Sequence, residues 1–322
     1  MTTQEAVLSS KIEGTHVTIG EVLEIEAGGQ SALFTQPKRE DAEEVLNYRR
    51  AVLACISEMA YRPLSQHMLR AAHQVLMEGV RGRENAPGSY RSEQNWIGPR
   101  GCSIDQASFV PVPIVQLQSG MDTWESYMNS TDQPDPLVQL AIVHVEFEAL
   151  HPFKDGNGRL GRMLVPLYLY QRRLIASPEF YMSGYLEANR DEYQERLRAV
   201  SRDGDWTGWC TFFLRGIWQQ ANENERKARA ILALYDRLKV KVADLTRSQH
   251  SIRALDFIFQ FPIFQAPVFT TRSQIPKPTA ARILGLLRED GLLTTIREGT
   301  GRRAGIFAFR ELLNIAEGSD AF

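Results

Sequence analysis

The chain has 322 residues, 43% of them hydrophobic, enough to bury a full core and to form one large domain with one or two small ones. Lys and Arg number 37 against 39 Asp and Glu, so no overall basic field exists to hold nucleic acid or an acidic membrane surface by charge alone. The opening MTTQEAVLSSKIEGT has neither the basic nor the apolar segment of a secretory signal. The most apolar run, Met163 to Tyr170, is far too short to span a bilayer, so a cytoplasmic protein is expected.

In chain order, a short helical run from Gln4 to Glu13 stops at Gly14, and pattern is lost around Gly28 and Gly29. Val45, Leu46, Val52, Leu53 and Ile56 recur at helical spacing between Asp41 and Tyr61, and a second helix, Ser65 to Val80, follows Pro63. Residues 81 to 115 are rich in Gly, Pro, Asn and Ser and read as an extended, substrate-facing flap; SFVPVPIV near its end suits a short hairpin. Helical patterns resume at Ile114 to Met128 and Pro136 to Leu150, break at HPFKDGNG, and continue through Arg159 to Arg173, Arg190 to Val200 and Thr207 to Lys241. Pro166, inside one of these runs, should cost about 3 kcal/mol in an ideal helix and mark a kink. Beyond residue 248 come helices at Ser251 to Gln260, near Thr271 and at Thr279 to Asp290. Two strands around a Gly/Arg turn follow, in the order of a winged helix-turn-helix. Cys55, Cys102 and Cys210 are scattered, form no CxxC or Cys/His cluster, and read as reduced thiols.

The chemistry concentrates in His151-Pro-Phe-Lys-Asp-Gly-Asn-Gly-Arg-Leu-Gly-Arg162, a loop that feeds directly into a helix. Gly156 and Gly158 let backbone N–H groups converge on a phosphate, and the helix N-terminus adds its positive dipole end. Asn157 can cap that helix or reach a phosphate oxygen. Arg159 and Arg162, three apart on the new helix, can hold further phosphates, Asp155 is an oxygen ligand suited to Mg²⁺, and His151 can take a proton from a hydroxyl. A base, a metal ligand, an anion nest and two arginines in one loop are the parts of a phosphoryl- or nucleotidyl-transfer site.

This stretch resembles the motif HxFx(D/E)GNGRxxR of the Fic/Doc family at every specified position, and the resemblance runs from about residue 5 to 240. Gly156 and Arg159 side with the AMP-transferring branch rather than the Doc branch, which carries Ala and Lys there and transfers a terminal phosphate. The resemblance implies a protein adenylyltransferase that uses ATP and Mg²⁺, mainly α: a Fic-type helical core with a small β-hairpin flap, followed by the winged helix. The implied segments are an N-terminal inhibitory piece (1–30), a catalytic domain (31–245) and the winged helix (246–322). It implies His151 as base for a Tyr, Thr or Ser hydroxyl of a protein, the chain itself included. Asp155 would hold Mg²⁺ on the α- and β-phosphates, Gly156 to Arg159 would cradle them, Arg162 would hold the outer phosphate, and Phe153 would fix the loop. It also implies a homodimer.

Ser9-Ser-Lys-Ile-Glu13-Gly14 resembles the family's inhibitory motif (S/T)xxxE(G/N), in which Glu13 would pair with Arg162 and deny it to the γ-phosphate. Pro87 to Gly98 and Ser108 to Pro113 resemble the family's flap, which pairs with an extended segment of the target. Tyr193 falls where the family has an adenine-side contact, and Ser201 stands where relatives often have Asn. Glu146, on the helix before the motif, can face the nucleotide or solvent, and His144 is similarly open. In the winged helix Arg282, Arg288, Arg302 and Arg303 could touch DNA phosphates, but nine Lys/Arg against seven Asp/Glu from residue 251 on disfavour DNA. The alternatives are a DNA-binding regulator that senses nucleotide, and a Fic enzyme that uses another donor or removes AMP.

Overall fold

A computed structural model describes residues 2–28, 35–80, 84–99, 101–300 and 304–318. Among these the chain is mainly helical, with one three-stranded antiparallel sheet. The elements are α1 (Thr2–Ile12), α2 (Ile19–Glu26), α3 (Gln36–Met59), α4 (Gln66–Leu76), α5 (Ile114–Asn129), α6 (Pro136–Leu150), α7 (Asn157–Gln171), α8 (Met182–Ala188), α9 (Arg190–Asp203) and α10 (Trp206–Thr246). They continue with α11 (Ser251–Gln260), β1 (Ile263–Gln265), α12 (Ala266–Arg272), α13 (Lys277–Glu289), β2 (Thr294–Arg297), β3 (Ile306–Ala308) and α14 (Arg310–Glu317). The chain divides into two compact units, one of residues 1–16 and 43–222, the other of residues 17–42 and 223–322.

The first unit is built around α6 and α7. Asp135 caps α6 by accepting from the N–H groups of Leu137 (2.7 Å) and Val138 (3.2 Å), and Pro136 occupies the first turn, where its missing N–H costs nothing. Both helices are almost wholly buried, and α7 stays helical through Pro166. The indoles of Trp124 and Trp209 each donate 2.8 Å bonds to α6, at the Val143 and Ala141 carbonyls. A polar sequence, TTQEAVLSSKI, forms α1, yet Glu5, Ser9 and Ser10 are buried with Ala6 and Ile12. Such a helix is held by specific polar partners more than by apolar area. Glu5 accepts from both the N–H and the hydroxyl of Ser183 on α8, and Lys11 pairs with Glu187 at 2.9 Å. Gly14 ends the segment at φ +97°, a conformation that favours glycine.

The flap region is largely irregular. Ile97 and Phe109 exchange both backbone bonds (2.9 and 3.1 Å) as a single antiparallel pair.

The second unit has its own core, in which Phe257 meets Phe264 and Phe269 edge-on at 5.0 Å among Leu238, Ile258, Ile283 and Leu287. Its sheet runs β1-β3-β2, with Phe264 opposite Phe307 and an irregularity between Thr295 and Arg297. Leu23 and Ala27 of the α2 segment pack against Ile263, Ile306, Ala308 and Leu313. A capping box at Thr18 and Glu21 starts α2. Arg282 donates to the Thr246 carbonyl (3.0 Å), and Arg288 pairs with Glu298 (3.3 Å) while lying 4.9 Å above the Phe307 ring. Arg302 and Arg303 lie outside the described residues.

Candidate active site

The loop 151–156 joins the C-terminus of α6 to the N-terminus of α7 through two left-handed residues, His151 (φ +46°) and Gly156 (φ +77°). A Cβ at Gly156 would lie 3.1 Å from Met77 Sδ, so backbone conformation and space both call for glycine. No side chain caps α7, which leaves its first N–H groups facing outward with the positive end of the helix. An anion fits such a place.

Asn157 is buried, and its amide is spent on the loop itself: Oδ1 accepts from the Phe153 N–H (2.9 Å) and Nδ2 donates to the Phe153 carbonyl (2.8 Å). The side chain thus fixes the loop, where the sequence allowed it a cap or a phosphate contact. Phe153 is fully buried and stacks on His73 at 4.0 Å. His73 accepts from the Gly88 N–H at Nδ1 (2.8 Å), so its proton sits on Nε2, which donates to the Asp155 carbonyl (3.0 Å). Burial pushes His73 down to about 4, which keeps it neutral in this role.

Arg91 braces the loop from the flap side. Its Nε donates to the His151 carbonyl (3.1 Å) and its Nη2 to those of Val112 (2.5 Å) and Leu150 (3.5 Å). Its own N–H donates to Pro152 (2.8 Å), and Asn95 Nδ2 reaches the Phe153 carbonyl (3.2 Å). His151 Nδ1 is buried without a hydrogen-bond partner among the described residues. Burial pushes this ring down to about 4, a backbone hydrogen bond at Glu148 opposes this, Arg91 adds to it, and Glu13 and Asp155 oppose it. A neutral imidazole held in this way has one nitrogen able to accept a proton.

Asp155 is 45% exposed, and its Oδ1 accepts from the Gly156 N–H at 2.6 Å. Among the described residues no three His, Cys, Asp or Glu side chains assemble a metal cage. A single half-exposed carboxylate beside an anion nest still suits Mg²⁺, which usually binds through one or two carboxylates, phosphate oxygens and water.

Arg159 is buried and bridges the core and the loop: its Nη1 pairs with Glu44 on α3 at 3.3 Å, and its Nη2 lies 3.9 Å from Asp155 Oδ1. Arg162, 1% exposed, donates to Ser9 Oγ (2.9 Å), the Ser9 carbonyl (3.0 Å) and Glu13 Oε1 (2.6 Å). Burial tends to raise the Glu13 carboxyl, but the Arg162 charge and hydrogen bond outweigh it, with Arg159 and Arg190 adding to the pull, and the net shift is downward. Glu13 remains 42% exposed, so its carboxyl is open to solvent on one side. Gly158 makes the contact possible, since a Cβ there would lie 2.5 Å from Glu13 Oε1.

Tyr193 is buried beside Arg162, with which its side chain shares a hydrogen bond, and its hydroxyl donates to His144 Nε2 (2.9 Å); His144 in turn gives its Nδ1 proton to the Gly161 carbonyl (3.0 Å). Glu146 lies with Ile142 and Leu150 on the stripe of α6 that lines a groove with Gly120 and Trp124 of α5. The residue on the motif side is Glu148, two positions on and about 200° around the helix. Nothing in the spacing of α6 told the two faces apart.

The family profile described as Fic/DOC matches residues 63–169, and that described as Fic/DOC family N-terminal matches residues 1–57. A probable protein adenylyltransferase of Aquifex aeolicus (strain VF5) is 28% identical over 202 residues, covering 63% of this chain and 58% of the relative. The chain therefore spans less than two thirds of that protein. A Fido domain-containing protein of Dictyostelium discoideum is 30% identical over 115 residues, 36% of this chain and 72% of the relative. Among solved structures, a Fic family protein from Desulfovibrio desulfuricans G20 superposes with TM-score 0.60 at 20% identity, covering 96% of this chain and 86% of that one. Fic-1 of C. elegans (residues 134 to 508) gives 0.52 at 17%, covering 70% and 63%, and both likenesses show the fold alone. With the motif intact from His151 to Arg162, the chain belongs to the Fic/DOC family.

Proposed function

We propose that the protein is an adenylyltransferase that moves AMP from ATP to a Tyr, Thr or Ser hydroxyl of a protein and releases pyrophosphate. The observation that carries this reading is the placement of a neutral His151 imidazole beside the uncapped N-terminus of α7. His151 accepts the proton of the hydroxyl as its oxygen bonds to the α-phosphorus. The bond to pyrophosphate breaks, and the leaving group keeps that electron pair. The N–H groups that open α7 hold phosphate oxygens, with Arg162 on the outermost phosphate. Asp155 would hold Mg²⁺, which when bound supplies charge neutralisation to the phosphates. Bound phosphates add negative charge beside His151 and move its pKa upward from about 4, toward the range where a base works best.

The same reading makes the resting chain autoinhibited. Glu13 occupies Arg162 at 2.6 Å, so a terminal phosphate must displace it or bind without that arginine. Acceptor proteins would pair with the flap beside Ile97 and Phe109, and the chain itself can serve as acceptor. A homodimer and a cytoplasmic location fit the reading. A DNA-binding regulator is less well supported, because Arg282 and Arg288 already have partners in their own unit.

The test is incubation of the Glu13→Gly protein with ATP labelled at the α- or at the γ-phosphate. The reading requires α-label, and no γ-label, on protein. Transfer of γ-label instead would mean phosphate transfer and would sink it.

A further inference from the structure

On α7, two glycines three residues apart share a face, and each receives a carboxyl group from another segment. Glu13, just beyond α1, lies over Gly158, and Glu148 of α6 lies over Gly161, where an added Cβ would come 3.1 Å from its Cδ. Arg162 stands on the next turn and feels the charge of both. The two carboxyls differ in exposure, Glu13 at 42% and Glu148 at 10%.

Apart from the Tyr193 side chain, the partners of Arg162 belong to residues 9 and 13. When that segment withdraws, an almost fully buried guanidinium loses Ser9 Oγ, the Ser9 carbonyl and Glu13 Oε1 together. Glu148 Oε1 is buried and has no hydrogen-bond partner among the described residues. His144 Nε2, 4.0 Å from that oxygen, is no cation for it: it accepts from Tyr193, and burial pushes the ring down to about 3. The groups around Glu148 are therefore neutral His144 on its own helix, neutral His151 just beyond it, Arg162 on α7, Tyr193 on α9, and Glu13.

We propose that Glu148 is a positioning residue for Arg162: its carboxylate holds the guanidinium while the site is empty and releases it, by taking a proton from solvent, when Glu13 or a terminal phosphate arrives. Burial pushes the Glu148 carboxyl up to about 7, Arg162 opposes this and Glu13 adds to it. Removing Glu13 lowers the pKa and favours the ionised form; a second anion on Arg162 restores the protonated one. Anion binding at Arg162 is then coupled to uptake of one proton by Glu148, an exchange that balances in charge and atoms.

The idea rests on the reading that Arg162 takes a phosphate, so the test uses two ligands. Calorimetry at about pH 6.5, below the anion-paired pKa of Glu148 and above that of the empty site, in buffers of different ionisation enthalpy, counts protons taken up when tripolyphosphate or ATP binds to Glu13→Gly. The same is done for Glu13→Gly/Glu148→Gln and Glu13→Gly/Glu148→Asp. The proposal expects the first to take up roughly 0.5 to 1 proton more than the Gln variant, and the Asp variant to keep most of that excess. Equal uptake in the first two, or loss of tripolyphosphate binding in the Gln variant, overturns it. Tripolyphosphate bound with the proton excess while ATP fails to bind would uphold Glu148 and count against the nucleotide reading.

Discussion

Three histidines around the loop are held neutral by burial: His73 and His151 are pushed down to about 4 and His144 to about 3. The sign follows from proton counting. Between about pH 6.5 and 4 the unfolded chain binds these protons and the folded chain does not, so each histidine withdraws stability as pH falls, on the order of 2 kcal/mol by pH 5. Imidazole resonances should accordingly show His73, His144 and His151 uncharged at pH 5.5; titration of all three near pH 6.5 would contradict their burial. The twelve contiguous residues from His151 to Arg162 were legible because their chemistry is local: glycines, a helix start and charged side chains at fixed spacing. His73, Arg91, Glu44 and Glu148 were not, because each acts on a segment far away in sequence, and one residue alone does not reveal its partner. Arg159 shows the same limit, since its partner Glu44 lies 115 positions earlier.

At the scale of elements, α1 is a polar helix in a buried place, and Glu5 sets its pH response. Burial pushes Glu5 up to about 7, against the bonds from Ser183 and the charge of Arg162. A carboxyl raised in the folded state favours folding when protonated, so its contribution is present below the unfolded pKa of about 4.5 and is lost as pH rises through about 7. Glu5→Gln keeps a polar group of the same shape without the charge. It should raise the melting temperature at pH 8 by a few degrees and change it little at pH 5; no gain at pH 8 would mean that Glu5 is not buried as an acid. The long helices α3, α5, α6 and α10 were readable from apolar periodicity. By contrast, α8 has seven residues including Gly184, too few to show a period, although it carries the Ser183 that anchors α1. The start of α2 was readable in principle, since Thr18 and Glu21 are spaced as a capping box, but Gly20 and the glycines that follow obscured it.

At the scale of the whole molecule, sequence order and spatial grouping differ, because residues 17–42 join the unit formed by residues 223–322. No sequence pattern announces this: Leu23 and Ala27 look like any short apolar pair until the sheet residues Ile263, Ile306 and Ala308 are seen to need a cover. Leu23→Asp places a charge against that sheet and should destabilise the unit by about 2 to 4 kcal/mol, measured as a lower denaturation midpoint for probes such as Phe257. An unchanged midpoint would mean that α2 is not part of that core. Catalysis and its restraint meet at Arg162 and Glu13, and one measurement addresses both most directly. The rate of self-labelling from α-labelled ATP is compared for wild type, Glu13→Gly and Glu13→Gly/His151→Ala. The account predicts a rate at least about tenfold above wild type in Glu13→Gly and loss of that gain when His151 is removed. Equal labelling by wild type and Glu13→Gly, or labelling that survives His151→Ala, would contradict it.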